Sequence, residues 1–295
     1  MIIGGIEAGG TKMVCAIGNE KGEIIKRTSI PTETPKETVP KLIEFFQPEN
    51  IEALGIGCFG PIDLNRNSAT YGSITSTPKL PWQNYNIVQI FREALKVPVG
   101  FDTDVNGAIL GEATWGAAKN CDVAIYITIG TGVGVGICID GKPLHGMVHP
   151  EAGHILMNRH NEDTFKGHCP YHSNCLEGMA AGPAIEARWG QKAASLTDRP
   201  KVWEMEAYYI AQAITDYVLT LSPNKVILWG GVMHQPQLFP LVRKYVVENL
   251  NGYVNADQIL KDIDNYIIAP ALGDDPGIKG ALKLGYDEWV LSNNI

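Results

Sequence analysis

The sequence predicts an α/β protein in which one structural plan is used twice. Laid with Gly10-Thr11 on Gly130-Thr131, two cycles of strand, glycine turn, strand and charged turn coincide, and such internal repetition marks a repeated structural unit. Short apolar runs alternate with segments of helical spacing, the pattern of sheets flanked by helices. Glycine turns recur where strands end, the sheet edge at which α/β proteins place ligands. The expectation is two similar domains facing each other across a cleft. The N-terminal α/β domain covers 1–116, completed by the C-terminal helix in 278–295; the larger α/β domain covers 117–277 and carries a zinc-binding segment at 154–175.

In order, residues 2–6 form an apolar run that breaks at Glu7-Ala8-Gly9-Gly10-Thr11-Lys12 and resumes over 13–17, two strands joined by a glycine-rich turn. Its backbone N–H groups and the Thr11 hydroxyl can cradle phosphate oxygens; taken alone, a structural hairpin turn is an equal reading. Residues 23–30 continue as a strand and 34–46 as a helix. The strand over 51–58 ends in Phe59-Gly60-Pro61, at a potential ligand crevice. Residues 65–85 are polar and rich in Ser and Thr, and read as a long functional loop. A helix over 87–95 and a strand over 97–101 lead into Asp102-Thr103-Asp104-Val105-Asn106, with a helix continuing through Trp115. Asp104, at a strand end and a helix start, is the candidate catalytic base; a helix N-cap is its alternative role, and Asp102 could serve as the cap instead.

The second cycle opens with strands on either side of Gly130-Thr131-Gly132. Beyond it, 178–189 and 202–221 read as helices, 224–228 as a buried strand ending at Gly230-Gly231-Val232, 238–250 as a helix and 267–271 as a last strand. Gly273-Asp274-Asp275-Pro276-Gly277 suits a hinge before a terminal helix over 278–291 that packs back on the first domain.

Between these lies a stretch with two kinds of chemistry. His154, Cys169, His172 and Cys175 form a C-x2-H-x2-C cluster with one further His upstream, a ligand set that can close a tetrahedral zinc site; the alternative is that they are ordinary loop or core residues. Two thiolates, two neutral imidazoles and one divalent cation are electrically neutral with no open position, which suits structural zinc. Glu151 and Glu177 flank the cluster, so the metal would position both carboxylates. It would also fix the His154 tautomer, leaving the second ring nitrogen as a donor. A donor between carboxylate acceptors suits sugar hydroxyls.

Composition narrows the classes. A net charge of −8 without a long basic run disfavours nucleic-acid binding. No apolar stretch reaches the roughly 18 to 20 residues that span a bilayer, and the N-terminus lacks the basic region of a secretory signal, so no membrane partner and a cytoplasmic location are expected. Cys15, Cys58 and Cys138 lie in apolar runs and fit reduced core residues.

Two nucleotide schemes are excluded: G-x4-G-K-[ST] does not occur, and the alternate glycines of 130–136 fail G-x-G-x-x-G. Paired Gly-Thr turns plus Gly230-Gly231 instead suggest a cleft ATPase. Residues 4–12, Asp104-Val105-Asn106, Thr128-Ile129-Gly130-Thr131-Gly132, His149-Pro150-Glu151-Ala152-Gly153-His154, the 169–178 segment and Gly230-Gly231-Val232 together resemble a ROK-family sugar kinase of the zinc-containing fructokinase branch, over essentially the whole chain. The resemblance implies a duplicated actin-like ATPase (ribonuclease H-like) fold and phosphoryl transfer from ATP with Mg2+ to a hexose, most simply fructose to fructose 6-phosphate, by a homodimer. Asp104 would be the base. Gly60, Asn106, Glu151, His154 and Glu177 would surround the sugar. Gly9, Gly10, Thr11, Lys12, Gly130, Thr131 and Gly132 would meet the phosphates, and Pro183, Gly230, Gly231 and Val232 the rest of the nucleotide. Structural Zn2+ would sit on His154, Cys169, His172 and Cys175. Glu7 stands where many members have Asp, and His172 where many have a third Cys; both variants point to the fructokinase branch. The alternatives are a kinase for glucose or mannose, or a sugar-sensing regulator. A repressor would need a DNA-binding extension before the first strand, which begins at Ile2.

Overall fold

The first sheet forms because an apolar meander is followed by two apolar strands that return in parallel. In the computed structural model, which describes residues 1–294, β1 (Ile3–Ala8), β2 (Lys12–Gly18) and β3 (Ile24–Pro31) are antiparallel neighbours. The helix α1 (Pro35–Phe46) starts at a Thr34/Glu37 capping box, which satisfies its first free N–H groups. Strand β4 (Ala53–Cys58) then pairs parallel with β1, and β5 (Val99–Thr103) parallel with β4. The order β3-β2-β1-β4-β5 puts β2, β1 and β4 inside, which is why β1 and β4 are buried along almost their whole length and carry one charged residue between them, Glu7. Between them, α2 (Ile87–Leu95) is capped by Asn86, whose Oδ1 accepts from Gln89 N at 2.9 Å.

Helix α3 (Asp104–Trp115) follows β5 without a loop, and Thr103 caps it, its Oγ1 accepting from Asn106 N at 3.1 Å. The C-terminal helix, Pro276–Ser292, packs on this unit through glycines. A Cβ at Gly55 would lie 1.8 Å from Ala281 O, and one at Gly280 would lie 1.6 Å from Gly107 O. Only residues without a side chain permit that approach. Glu112, fully buried on α3, accepts from the N–H groups of Ala271 (3.2 Å) and Leu272 (2.9 Å) and so fixes the entry to this helix.

The second sheet repeats the start of the first. Strands β6 (Val123–Ile129) and β7 (Val133–Ile139) form an antiparallel hairpin around a glycine turn. After α4 (Leu176–Ala180), α5 (Gly182–Trp189) and the long α6 (Pro200–Leu221), β8 (Lys225–Trp229) pairs parallel with β6. Helix α7 (Leu238–Leu250) and the short β9 (Ile267–Ile268), parallel to β8, complete the plan. The chain divides into two compact units. The first comprises Met1–Lys119, Gly141–His149 and the chain from Ala271 onward; the second comprises Asn120–Asp140 and Pro150–Pro270. Among the described residues no helix is long and apolar enough to cross a membrane.

Three elements differ from expectation. The single helix expected over 178–189 is two, because Ala181 is extended (φ −66°, ψ 156°) and Gly182 N donates to Gly130 O at 2.8 Å. Pro183 sits in the first turn of α5, where its missing N–H costs no helical hydrogen bond, so a new helix can start there. The strand expected over 267–271 stops at Ile268, since Pro270 has no N–H for a ladder. The 65–85 segment is not simply a loop: it contains the strand pair Ser73–Ile74 with Tyr85–Asn86, and Ile74 and Trp82 lie in the core.

Candidate active-site residues and metal centre

In the first unit, β1, β4 and β5 are parallel and end on one edge, so their following residues gather there. The first turn is closed by Gly9 N donating to Lys12 O at 3.1 Å. It is held from outside by Thr32, whose N–H donates to Thr11 O (2.9 Å) and whose hydroxyl donates to Gly9 O (2.8 Å). Gly60 follows β4 beside the buried His149, whose Nε2 accepts from Ile62 N at 3.3 Å. Asp104 opens α3, its Oδ1 accepting from Val105 N at 2.9 Å. The cap belongs to Thr103, so neither Asp104 nor Asp102 has that task.

Electrostatics ties these positions together. Burial pushes the Glu7 carboxyl up to about 7, and the Asp104 charge adds to the rise. Asp102 is buried behind α3: its Oδ1 accepts from Asn106 Nδ2 (2.7 Å) and Thr103 N (2.7 Å). Its Oδ2 lies 2.8 Å from His145 Nε2, and that hydrogen bond, with the carboxylate charge, raises the imidazole above its ordinary value.

In the second unit, Glu177 on α4 links the second glycine turn to the Cys/His cluster. Its Oε2 accepts from Val133 N at 3.1 Å and would lie 2.6 Å from a Cβ at Gly132, while its Oε1 is 3.9 Å from His154 Nε2. The Gly182 bond to Gly130 brings Pro183 to the same turn. Gly230, with φ +102°, would place a Cβ 2.3 Å from Ile129 O, so the β8 glycine turn lies directly against the end of β6. Glu151 precedes the short helix Ala152–His154, which is anchored to α6 by Tyr217 Oη donating to Ala152 O at 2.7 Å.

His154, Cys169, His172 and Cys175 converge, with one ligand atom from each all within 4.8 Å of one another. Cys169 Sγ is 3.9 Å from His154 Nδ1 and 3.7 Å from His172 Nδ1, and Cys175 Sγ is 3.5 Å from His154 Nδ1. Zinc bonds of about 2.0 to 2.3 Å give tetrahedral edges of roughly 3.3 to 3.8 Å; the three separations above lie at or close to that range while the cluster as a whole extends to 4.8 Å, so the donor set fits that ion in chemistry and would draw in slightly around it. Burial pushes the Cys175 thiol up to about 11; a divalent cation would reverse that preference and hold the thiolate. Gly178 N donates to Cys175 Sγ at 3.3 Å, so α4 starts at a ligand and carries Glu177 one residue earlier. With Nδ1 facing the cluster, His154 presents Nε2 toward Glu177.

Sequence reasoning placed no role on Lys79, His145 or the Asp102 link to Asn106. The long 65–85 segment was the signal for Lys79, whose Cε would lie 3.2 Å from a Cβ at Gly10. His145 had no signal of its own, because its partner lies on a distant strand.

The family model described as "ROK family" matches residues 3–288. The chain belongs to the ROK family. A relative from Bacillus subtilis (strain 168), provisionally named a fructokinase, is 52% identical over 97% of this chain and 95% of its own. The fructokinase of Pediococcus pentosaceus is 43% identical over 96% and 97%, respectively. Among solved structures, the ROK hexokinase from Thermus thermophilus superposes with a TM-score of 0.80 at 26% identity, covering 98% of this chain and 99% of that one. The fold is the actin-like ATPase fold of ROK sugar kinases, and the repeated hairpins around Gly9-Gly10 and Gly130-Thr131-Gly132 are its two glycine turns.

Proposed function

We propose that this ROK-family chain transfers the terminal phosphoryl group of ATP to fructose, forming fructose 6-phosphate. The observation that carries the reading is the 43% identity to the P. pentosaceus fructokinase across nearly the whole of both chains. Asp104 beside the first glycine turn supplies the chemistry.

A sugar hydroxyl is a weak nucleophile, and in a loose transition state the protein mainly positions reactants and neutralises charge. Asp104 accepts the hydroxyl proton as the new bond forms. Gly60, Asn106, Glu151, His154 and Glu177 hold the sugar, and the Asp102 bond to Asn106 fixes the amide. Backbone N–H groups of Gly10, Thr11 and Lys12, and of Thr131 and Gly132, face the phosphates, while those of Gly9 and Gly130 close the two turns by donating to Lys12 O and Gly132 O. Pro183, Gly230, Gly231 and Val232 take the rest of the nucleotide.

Magnesium, when bound with ATP, supplies countercharge, and the mutual repulsion of Glu7 and Asp104 is of the kind such a cation relieves. Zinc at the Cys/His cluster would hold His154 and Glu177 in place rather than enter the reaction. The reading includes a cytoplasmic homodimer on the family resemblance, which light scattering tests. The decisive experiment measures ADP release against fructose, glucose and mannose and identifies the phosphorylated carbon by NMR. A clear preference for fructose at carbon 6 is expected; preference for glucose or mannose moves the chain to another branch, and no hexose-dependent ADP release ends the kinase assignment.

A further inference from the structure

The segment between β4 and α2 is longer than a connection needs; besides its strand pair and the core residues Ile74 and Trp82, it carries Lys79 to the first glycine turn. Lys79 lies over the first glycine turn: a Cβ at Gly10 would be 3.2 Å from Lys79 Cε, so the lysine stem rests on the turn and the ammonium stands one bond further on. The placement is fixed twice. Trp82, buried to 1% exposure, donates Nε1 to Glu33 O at 2.7 Å. The adjacent Thr32 is the residue that holds Gly9 and Thr11 from outside. The turn and the lysine therefore hang on the same two neighbouring residues. On the other side, Lys79 N donates to Oγ1 of the buried Thr77 at 3.3 Å.

What sets Lys79 apart from other lysines of the unit is its stem against Gly10 rather than its pairing. Among the described residues, Lys79 has no carboxylate partner, although it is only partly exposed. A partly exposed ammonium on the glycine turn adds positive potential to that face, which favours an anion there. The groups that meet there, main-chain donors and one ammonium, are those that stabilise charge spread over phosphoryl oxygens.

We propose that Lys79 contacts the phosphoryl group at the Gly9-Gly10-Thr11 turn and stabilises the charge it carries during transfer. The proposal rests on the sugar-kinase reading and adds a residue to it. Two measurements on the full-length protein test it. In Lys79→Met, kcat should fall by about 10²-fold while the Kd for fructose stays within about twofold, the mark of an interaction made in the transition state. The affinity for Mg-AMPPNP should fall relative to that for AMP, a ratio a structural defect would not move; Lys79→Arg should restore part of both.

Equal weakening of AMP and AMPPNP, or a kcat within about threefold of wild type, overturns the proposal. Should Lys79→Met fail to fold, Lys79→Gln is measured in the same way. The nucleotide ratio does not depend on the sugar. Wild-type protein inactive on every hexose would therefore count against the kinase reading, while an unchanged ratio counts against Lys79.

Discussion

His145 Nε2 lies 2.8 Å from Asp102 Oδ2, and Asp102 Oδ1 lies 2.7 Å from the Asn106 amide nitrogen, so one buried carboxylate joins the 141–149 segment to the first turn of α3. The hydrogen bond to Asp102 raises the His145 pKa above its ordinary 6.5. A histidine whose folded pKa exceeds its unfolded one contributes its full stability below the unfolded value and loses it as pH rises through the folded value. Urea midpoints of the wild type should therefore fall as pH rises from about 6.5, and His145→Gln should remove that part of the slope. An identical pH slope in both proteins would mean the pair does not titrate as a unit.

The C-terminal helix gives a test of the fold itself. Gly280→Ala puts a methyl 1.6 Å from Gly107 O, against backbone on both sides that cannot yield without moving α3. A loss of about 3 kcal/mol or more in urea unfolding is expected, at the upper end of overpacking costs. Gly146→Ala, whose Cβ would meet only Val148 O at 3.9 Å, serves as the control and should change stability by less than about 0.5 kcal/mol. Comparable effects at both sites would show that the helix does not pack on α3 through that glycine.

The metal cluster makes a prediction about sugar as well as stability. Cys175→Ser removes a fully buried ligand that also starts α4, so bound zinc, measured by a chelating dye after unfolding, should drop to background. The melting temperature should fall with it. Fructose should also bind more weakly, because Nε2 of His154 faces Glu177 only while Nδ1 is engaged. A folded, zinc-free variant with unaltered fructose affinity would separate the metal from the pocket.

Much of the fold could be read from periodicity. The 87–95 and 238–250 helices coincide with α2 and α7, and both hairpins announce themselves as apolar runs around glycines. What escaped were features fixed by partners far along the chain. The break at Ala181 depends on a hydrogen bond from Gly182 to Gly130, a turn that local spacing around 178–189 cannot reveal. Trp82 looked like part of a polar loop because its burial comes from docking on Glu33. The Cys/His cluster was legible for the opposite reason: three ligands lie within seven residues, and only His154 had to be found at a distance.

Asp104→Asn isolates the proposed proton transfer from the fold. Thr103 carries the cap of α3, so the helix start does not depend on the carboxylate, and an Asn side-chain oxygen can still accept from Val105 N. What the substitution removes is a charge and a proton acceptor. If Asp104 is the base, kcat should fall by about 10² to 10⁴ while the fructose Kd stays within about threefold, since general-base assistance acts on the transition state. The same change has a second readout that does not involve turnover. Glu7 titrates near 7 chiefly through burial, with the Asp104 charge adding to it, so Asn at 104 should lower the Glu7 value without returning it to the ordinary carboxylate range. Carboxyl NMR titration of both proteins measures that shift. A lowered Glu7 value with near-normal kcat would place Asp104 beside the turn and still take the base role away from it.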